Sequence, residues 1–246
     1  NLALAGNLNG SVAGGVVMFR GDSGGSVVRN CVFSGNVSQH TQATSFSDSD
    51  GGALVFKMTG AAETASVENC TFYRNLFEGL NGTAALNVLS GSVEVKNSIF
   101  RANLTGVNNA GAIADIRVRD GAAATVAYTM FDGLAASTND LGGTLSFGQG
   151  VTTNDPCFVT SLEDLGPHTT TGKNGVSYVI FSKAGQNALC AIDCHVRPKS
   201  PAIDAGDPKS PYRNEPRPCG WRVNLGAYGN TSEATASKGG TMLLVR

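Results

Sequence analysis

Asn69-Cys-Thr-Phe72-Tyr-Arg-Asn75 is the stretch on which the fold turns, because it returns along the chain. It stands earlier as Asn30-Cys-Val-Phe33-Ser-Gly-Asn36 and later as Asn97-Ser-Ile-Phe100-Arg-Ala-Asn103, with a worn copy at Tyr128-Thr-Met-Phe131-Asp-Gly-Leu134. Counted at the phenylalanine, the copies lie 39, 28 and 31 residues apart. A constant motif at variable spacing describes one structural unit carrying loops of different length, the signature of a stacked repeat.

Each copy follows a β-prone run: Ser26-Val-Val-Arg, Ala65-Ser-Val-Glu, Val93-Glu-Val-Lys and Ala124-Thr-Val-Ala. Ahead of each run stands a second motif: Gly14-Gly-Val-Val, Gly51-Gly-Ala-Leu, Thr83-Ala-Ala-Leu and Gly111-Ala-Ile. Alternation in Val93-Glu-Val-Lys turns valine one way and charge the other, which is strand periodicity. Strands this short bury a core only when stacked, and parallel stacking at about 4.8 Å sets equivalent side chains over one another.

The expected fold is therefore all-β, a right-handed parallel β-helix. Phe33, Phe72, Phe100 and Phe131 should form an inward aromatic column, with Cys31, Cys70, Ser98 and Thr129 as a small-residue column beside it. Asn30, Asn69 and Asn97 should mark one bend and Asn36, Asn75 and Asn103 the next, since asparagine tolerates the left-handed conformation and its amide can bond the copies above and below. A β-sandwich would not require one motif in every repeat, and the leucine spacing of leucine-rich repeats is missing. Asn1 reads as the last asparagine of an earlier copy, so the chain should begin within a repeat, as a fragment of a longer protein or with that repeat completed by something else.

The composition agrees with this fold. The chain has 246 residues, 32 of them glycine, with 15% charged residues and a formal net charge of -1. That balance argues against nucleic acid as the partner, and no apolar run of membrane-spanning length is present. Asn1-Leu-Ala-Leu-Ala carries no basic n-region of a signal peptide. Sequons at Asn36, Asn69 and Asn103 belong to the stacked motif, where glycans would break the core.

Residues 1–135 should hold the β-helix repeats and residues 136–232 irregular final coils with a C-terminal cap. Residues 233–246 should be a linker or terminal strand. All eight prolines lie between Pro156 and Pro218, where they would block further strand addition. Trp221 should anchor that cap. Cys157, Cys190, Cys194 and Cys219 crowd the same region and suggest one or two disulfides, of which four cysteines allow three pairings.

Two sets of residues suggest a family. Gly51-Gly-Ala-Leu paired with Phe72-Tyr-Arg-Asn75 resembles the repeats of the polymorphic outer membrane proteins of chlamydial type. Asp155-Pro-Cys-Phe, Ser200-Pro-Ala-Ile-Asp-Ala-Gly-Asp-Pro and Arg222-Val-Asn-Leu-Gly-Ala-Tyr-Gly resemble the choice-of-anchor Q β-helix proteins. The resemblance implies a bacterial extracellular parallel β-helix, secreted or at the cell surface, in families that include adhesin-like members.

Candidate chemistry is sparse. Asp115, Arg117 and Arg119, the candidate catalytic residues of an enzyme reading, would share one strand face, either as a strip able to contact an acidic sugar or as solvated charges. His40, Asp48 and Asp50 lie in the polar segment from Ser38 to Asp50, a loop that could present a binding face. Trp221 could stack on a sugar if exposed. No cofactor is expected, although Asp155, Asp204 and Asp207 are candidates for a Ca²⁺ site, set against the simpler reading that they bond amides in turns.

The expected role is a non-catalytic, adhesive or structural module whose partner is a carbohydrate or a host or neighbouring-cell surface. The alternatives are a polysaccharide lyase or glycoside hydrolase on the outer β-face, and a filament-forming subunit that self-assembles through its edges.

Overall fold

The computed structural model describes residues 2–5, 7–9, 16–39, 51–60, 62–78, 83–105, 112–113, 115–133, 138–161, 170–171, 177–178 and 192–238. The described chain is all-β. A first pass comprises β1 (Leu2–Ala5), β2 (Leu8–Asn9), β3 (Val17–Gly21) and β4 (Val27–Arg29). The second comprises β5 (Cys31–Ser34), β6 (Val37–Gln39), β7 (Leu54–Met58) and β8 (Thr64–Glu68). A third repeats the sequence with β9 (Thr71–Tyr73), β10 (Leu76–Glu78), β11 (Leu86–Ser90) and β12 (Ser92–Lys96).

The fourth pass holds β13 (Ile99–Arg101), β14 (Leu104–Thr105), an added β15 (Ala112–Ile113), β16 (Ile116–Arg119) and β17 (Ala123–Ala127). β18 (Thr138–Leu141) and β19 (Thr144–Phe147) follow, and β20 (Thr170–Thr171) pairs antiparallel with β21 (Ser177–Tyr178).

Successive strands enter four sheets in rotation. Sheet A runs β1-β5-β9-β13, sheet B β15-β14-β10-β6-β2, sheet C β18-β16-β11-β7-β3 and sheet D β19-β17-β12-β8-β4. Sheets A, C and D are wholly parallel, and only the β14–β15 edge of sheet B is antiparallel. This arrangement is compatible with a parallel β-helix.

In-register stacking aligns like with like. Phe33, Phe72, Phe100 and Phe131 form one stack, with ring centroids 4.8, 4.6 and 5.1 Å apart and planes within 14°. Val28, Val67, Val95 and Val126 form a second buried column, and Leu54, Leu86 and Ile116 a third. Phe19 also stacks on Phe56 at 5.1 Å, a pair the seven-residue motif does not announce. Burying such side chains is the main favourable term, about 1.5–3 kcal/mol for each large apolar one.

The first bend follows expectation. Asn30, Asn69, Asn97 and Tyr128 have φ of 53°, 48°, 52° and 46°, the left-handed region that asparagine enters most readily. Behind each, a small polar residue donates back across the bend: Cys31 to the Arg29 carbonyl, Cys70 to Glu68, Ser98 to Lys96 and Thr129 to Ala127.

At the second bend the left-handed residue is the one before the asparagine, at Gly35, Arg74 and Ala102. The asparagines there supply a buried amide ladder. Asn36 Nδ2 donates to Asn75 Oδ1 at 2.9 Å, and Asn75 Nδ2 to Asn103 Oδ1 at 2.8 Å. The ladder begins at Asn7, whose Nδ2 donates to Asn36 Oδ1 at 2.9 Å. The β1–β5 register pairs Leu2 with Cys31 and Leu4 with Phe33. Leu2–Ala5 therefore takes the place of Cys31–Ser34, with Leu4 in the phenylalanine place and Asn7 in that of Asn36, while Asn1, expected to end a copy, lies outside the described residues.

The C-terminal segment departs most from expectation. Coils continue through β19 to Thr152, which bridges Met130. Residues 153–161 and 192–238 then pack along the outer face of sheet A, across earlier passes, where an end cap was expected. Val32, Thr71, Ile99 and Met130 point outward from that sheet yet are buried. With Tyr73 they form a second core against Phe158, Cys194, Val196, Ala202, Leu225 and Ala227.

The asparagines of the first bend, whose amides were expected to bond the copies above and below, also hold this strap. Asn30 Nδ2 donates to the Ala227 and Gly229 carbonyls, both at 2.8 Å, and Asn69 Nδ2 to Asn224 O at 3.0 Å. Asn97 accepts from Asp207 N–H at 2.7 Å and donates to Ser210 Oγ at 2.9 Å. Gly226, at φ +88°, allows the close approach, since a Cβ there would lie 2.9 Å from Ile99 Cδ1 and Thr71 Oγ1.

Three further expectations are corrected here. Glu233 to Lys238 is no free linker: Ala234 is buried, Thr235 Oγ1 donates to Val196 O, and Ser237 N–H donates to Pro218 O. Cys157, Cys194 and Cys219 are free thiols, so no disulfide joins them, while Cys190 lies outside the described residues. Gly111-Ala-Ile is not the counterpart of Gly51-Gly-Ala-Leu. Ala112–Ile113 forms the antiparallel edge, and Asp115-Ile116 takes the Ala-Leu place.

Candidate binding face

The outer surfaces of the sheets differ in what lies over them. Sheet A is covered by the strap. On sheet C the outward positions Val55, Asn87 and Arg117 are buried. The outer face of sheet D is open and five-stranded, spanning about 19 Å at the usual strand spacing.

Alternation in β8, β12 and β17 produces this face by burying alternate positions such as Val67, Val95 and Val126 and turning the rest outward, and β19 adds Thr144 and Ser146 at its edge, where Leu145 is half-buried and Phe147 exposed. The register arranges the outward residues in three rows. One row is Thr64, Ser92, Ala123 and Thr144. The middle row is Val27, Ser66, Glu94, Thr125 and Ser146, and the third is Arg29, Glu68, Lys96 and Ala127. Its acidic residues, Glu68 and Glu94, balance its basic residues, Arg29 and Lys96, so the face is neutral and rich in hydroxyls.

Its charges are partly tied down. Arg29 Nη2 lies 2.6 Å from Glu68 Oε2, and Lys96 Nζ lies 3.4 Å from Oε1. Burial opposes ionisation of Glu68, but the Arg29 hydrogen bond and the charge of Lys96 outweigh it and hold its carboxyl below the usual range. Such a surface can offer hydrogen bonds at strand-spaced intervals to a flat, neutral, polyhydroxylated partner.

The strip expected at Asp115, Arg117 and Arg119 is not on the surface, which overturns both the sugar-contact and the solvated-charge readings. Asp115 is fully buried and Arg117 nearly so, beside Asn87, while Arg119 is half-buried. The cause is register, because Asp115 occupies the column of Ala53 and Ala85. There it terminates the asparagine ladder, accepting from Asn103 Nδ2 at 2.8 Å through Oδ1, while Oδ2 has no hydrogen-bond partner.

Burial pushes the Asp115 carboxyl well above its ordinary range despite the Asn103 bond. An acid whose native pKa is raised contributes full stability below its unfolded value and loses it as pH rises through the native value. Asp115→Asn keeps the accepting oxygen and removes ionisation. Its melting temperature should match the unsubstituted protein in acid and exceed it by a few degrees near pH 8. Parallel melting-temperature curves against pH would contradict this.

The remaining candidates are dispersed. Asp155 accepts from Cys157 N–H and meets Arg101, Asp204 accepts from Gly220 N–H and Ser237 Oγ, and Asp207 accepts from Lys209 N–H. The amide bonds of Asp155 and Asp207 are turn bonds, whereas Asp204 ties together segments far apart in sequence, and among the described residues no three His, Cys, Asp or Glu side chains gather to hold a metal. Trp221 does not anchor the strap, since it is 85% exposed between Gly220 and Arg222, which are pinned to Asp204 and to the Ala205 and Gly206 carbonyls.

His40, Asp48 and Asp50 lie outside the described residues. A pair that sequence inspection passed over is Asp193 and His195, with Oδ1 and Nδ1 2.5 Å apart and the imidazole stacked on Tyr228 at 3.6 Å. Its only signal in the sequence is Asp-x-His, and the same carboxylate accepts from the His195 N–H as an ordinary turn bond. No protein-family model, curated protein or solved structure matches this chain.

Proposed function

We propose that the chain is a right-handed parallel β-helix module of a secreted or surface-exposed bacterial protein. In this reading it is non-catalytic and adhesive or structural, and the outer face of sheet D meets a neutral carbohydrate surface. Rotation of the strands through four sheets supports the solenoid. The resemblance to the polymorphic outer membrane and choice-of-anchor Q proteins supports the location.

The observation that carries the binding role is the contrast between faces. At the bends and beneath the strap, polar side chains are spent on ladder, bend and strap bonds, whereas on sheet D outward Thr, Ser and charged side chains, neutral in sum, stay uncovered. The burial of Asp115 and Arg117 removes the strip that favoured an acidic sugar.

The test is to incubate the chain with insoluble neutral glucan, chitin and mannan and with pectin and alginate, measuring both retention and released ends. Retention on a neutral polymer without new reducing or unsaturated ends is expected. Thr125→Glu with Ser146→Glu, which places extra charge at two exposed positions, should weaken it about tenfold or more with the melting temperature unchanged. Released ends would overturn the non-catalytic reading, and retention confined to the acidic polymers would overturn the choice of face.

A further inference from the structure

We propose that Cys31 and Cys70 are a redox-active dithiol, in which Cys31 captures small-molecule disulfides and Cys70 resolves the adduct into a staple between neighbouring passes. The backbone role of this column needs only a small donor, as Ser98 and Thr129 show by making the same bond across the bend. Two adjacent members are thiols, which adds chemistry that a hydroxyl would not provide.

The geometry suits a bridge. The β5–β9 register, with Val32 opposite Thr71, sets Cys31 beside Cys70. Adjacent strands lie about 4.8 Å apart, inside the roughly 4.4–6.8 Å range of Cα separations that disulfides span. The two thiols stand in one column, Cys70 within the buried core and Cys31 packed against it. Their exposures differ, because Cys31 is half-buried at the inner edge of the first passes and Cys70 is fully buried.

The asymmetry assigns the roles. The neighbouring Cys70 thiol pulls the Cys31 thiol down to about 6 against the opposing effect of burial, and the Leu2 backbone adds to it. Burial pushes Cys70 up. Cys31 is thus the more acidic and the more accessible of the two, and its thiolate, formed when it gives up the proton shared with the Arg29 carbonyl, is the form that attacks.

The oxidant is a low-molecular-weight disulfide, RSSR. The Cys31 thiolate attacks one of its sulfurs, the S–S bond breaks, and RS⁻ leaves and is protonated. Cys70 then attacks the Cys31 sulfur as its thiol proton passes to the second departing RS⁻. Two protein thiols are oxidised to one disulfide and RSSR is reduced to two RSH.

The full chain would be exposed to oxidised glutathione at pH 7 and mapped by peptide mass spectrometry, with iodoacetamide labelling in parallel. Iodoacetamide should label Cys31 about tenfold faster than the exposed Cys157 at pH 7, with the advantage shrinking toward pH 9. Oxidation should yield a linked Cys31–Cys70 peptide and raise the melting temperature by about 5–10 °C, reversibly on reduction. Cys70→Ser should trap glutathione on Cys31, and Cys31→Ser should abolish adduct and staple alike. Both variants place at the column the residue that already stands at Ser98. Glutathione persisting on Cys31 of the unsubstituted protein, equal labelling of Cys31 and Cys157, or linkage of Cys31 to any other cysteine would overturn the proposal.

Discussion

Phe72→Ala is expected to cost about 3–5 kcal/mol, near the upper end for a single core truncation. The ring has no solvent exposure and is stacked on both faces, 4.8 Å from Phe33 and 4.6 Å from Phe100. Its removal leaves a slot whose floor and roof are aromatic rings on neighbouring strands, and those strands are fixed by backbone hydrogen bonds on both sides. The walls cannot close in, so the cavity cost is added to the lost transfer energy. In a chain of this length the melting temperature should fall by about 10 °C. Phe72→Leu, which refills much of the slot and is the residue type found at Leu4, should cost only about 1–2 kcal/mol. Denaturant melts of the two variants check this, and equal losses would show that refilled volume recovers nothing and would overturn the cavity account.

Asn75→Ala should be comparably severe, at about 3–4 kcal/mol, for a polar reason. Asn75 Nδ2 donates to Asn103 Oδ1 at 2.8 Å and to the Phe33 carbonyl at 3.0 Å. Its Oδ1 accepts from Asn36 Nδ2 at 2.9 Å and from Asn36 N–H at 3.2 Å. Truncation strips partners from several buried groups at once, each costing about 1–3 kcal/mol when left unsatisfied, with partial compensation where a second partner remains. Asn75→Asp should also destabilise at neutral pH, since it replaces the donor with an acceptor facing Asn103 Oδ1 and Phe33 O, and should recover in part when acid protonates it. A loss below 1 kcal/mol for Asn75→Ala in equilibrium melts would mean that the ladder is replaceable.

How much of this was legible can be judged position by position. Phe33, Phe72 and Phe100 reveal their column because the same residue recurs at the same place in an otherwise variable segment. The first copy escaped notice because Leu4 stands where phenylalanine does elsewhere, although Asn1 and Asn7 keep the spacing of Asn30 and Asn36. The Phe19–Phe56 pair was hidden for the converse reason, since its column continues as Val88. Asp115 was misplaced because an inserted antiparallel edge, β15, shifts the point at which sheet C resumes. Only pairing can show that Asp115 falls under Ala85.

The strap had half a signal. Val32, Ile99 and Met130 break the alternation that a half-exposed strand would keep, and apolar residues on both faces of a strand indicate covering on both sides. They could not say what the cover was. The backbone amides of Gly226 and Ala227, the carbonyls that meet Asn30 and Asn69, and the bare ring of Trp221 have no periodicity to reveal them.

The sequence by itself determined the repeating cross-section of this protein: which residues stack, which turn the bends and which face inward. It could do so because these contacts join equivalent positions of one motif, so each copy reports on its neighbours. Tertiary structure alone decided which outer faces stay open. Covering sheet A joins segments such as Asn30 and Gly229, far apart in sequence and unlike in pattern, and such contacts arise from shape and hydrogen bonding that no local period encodes.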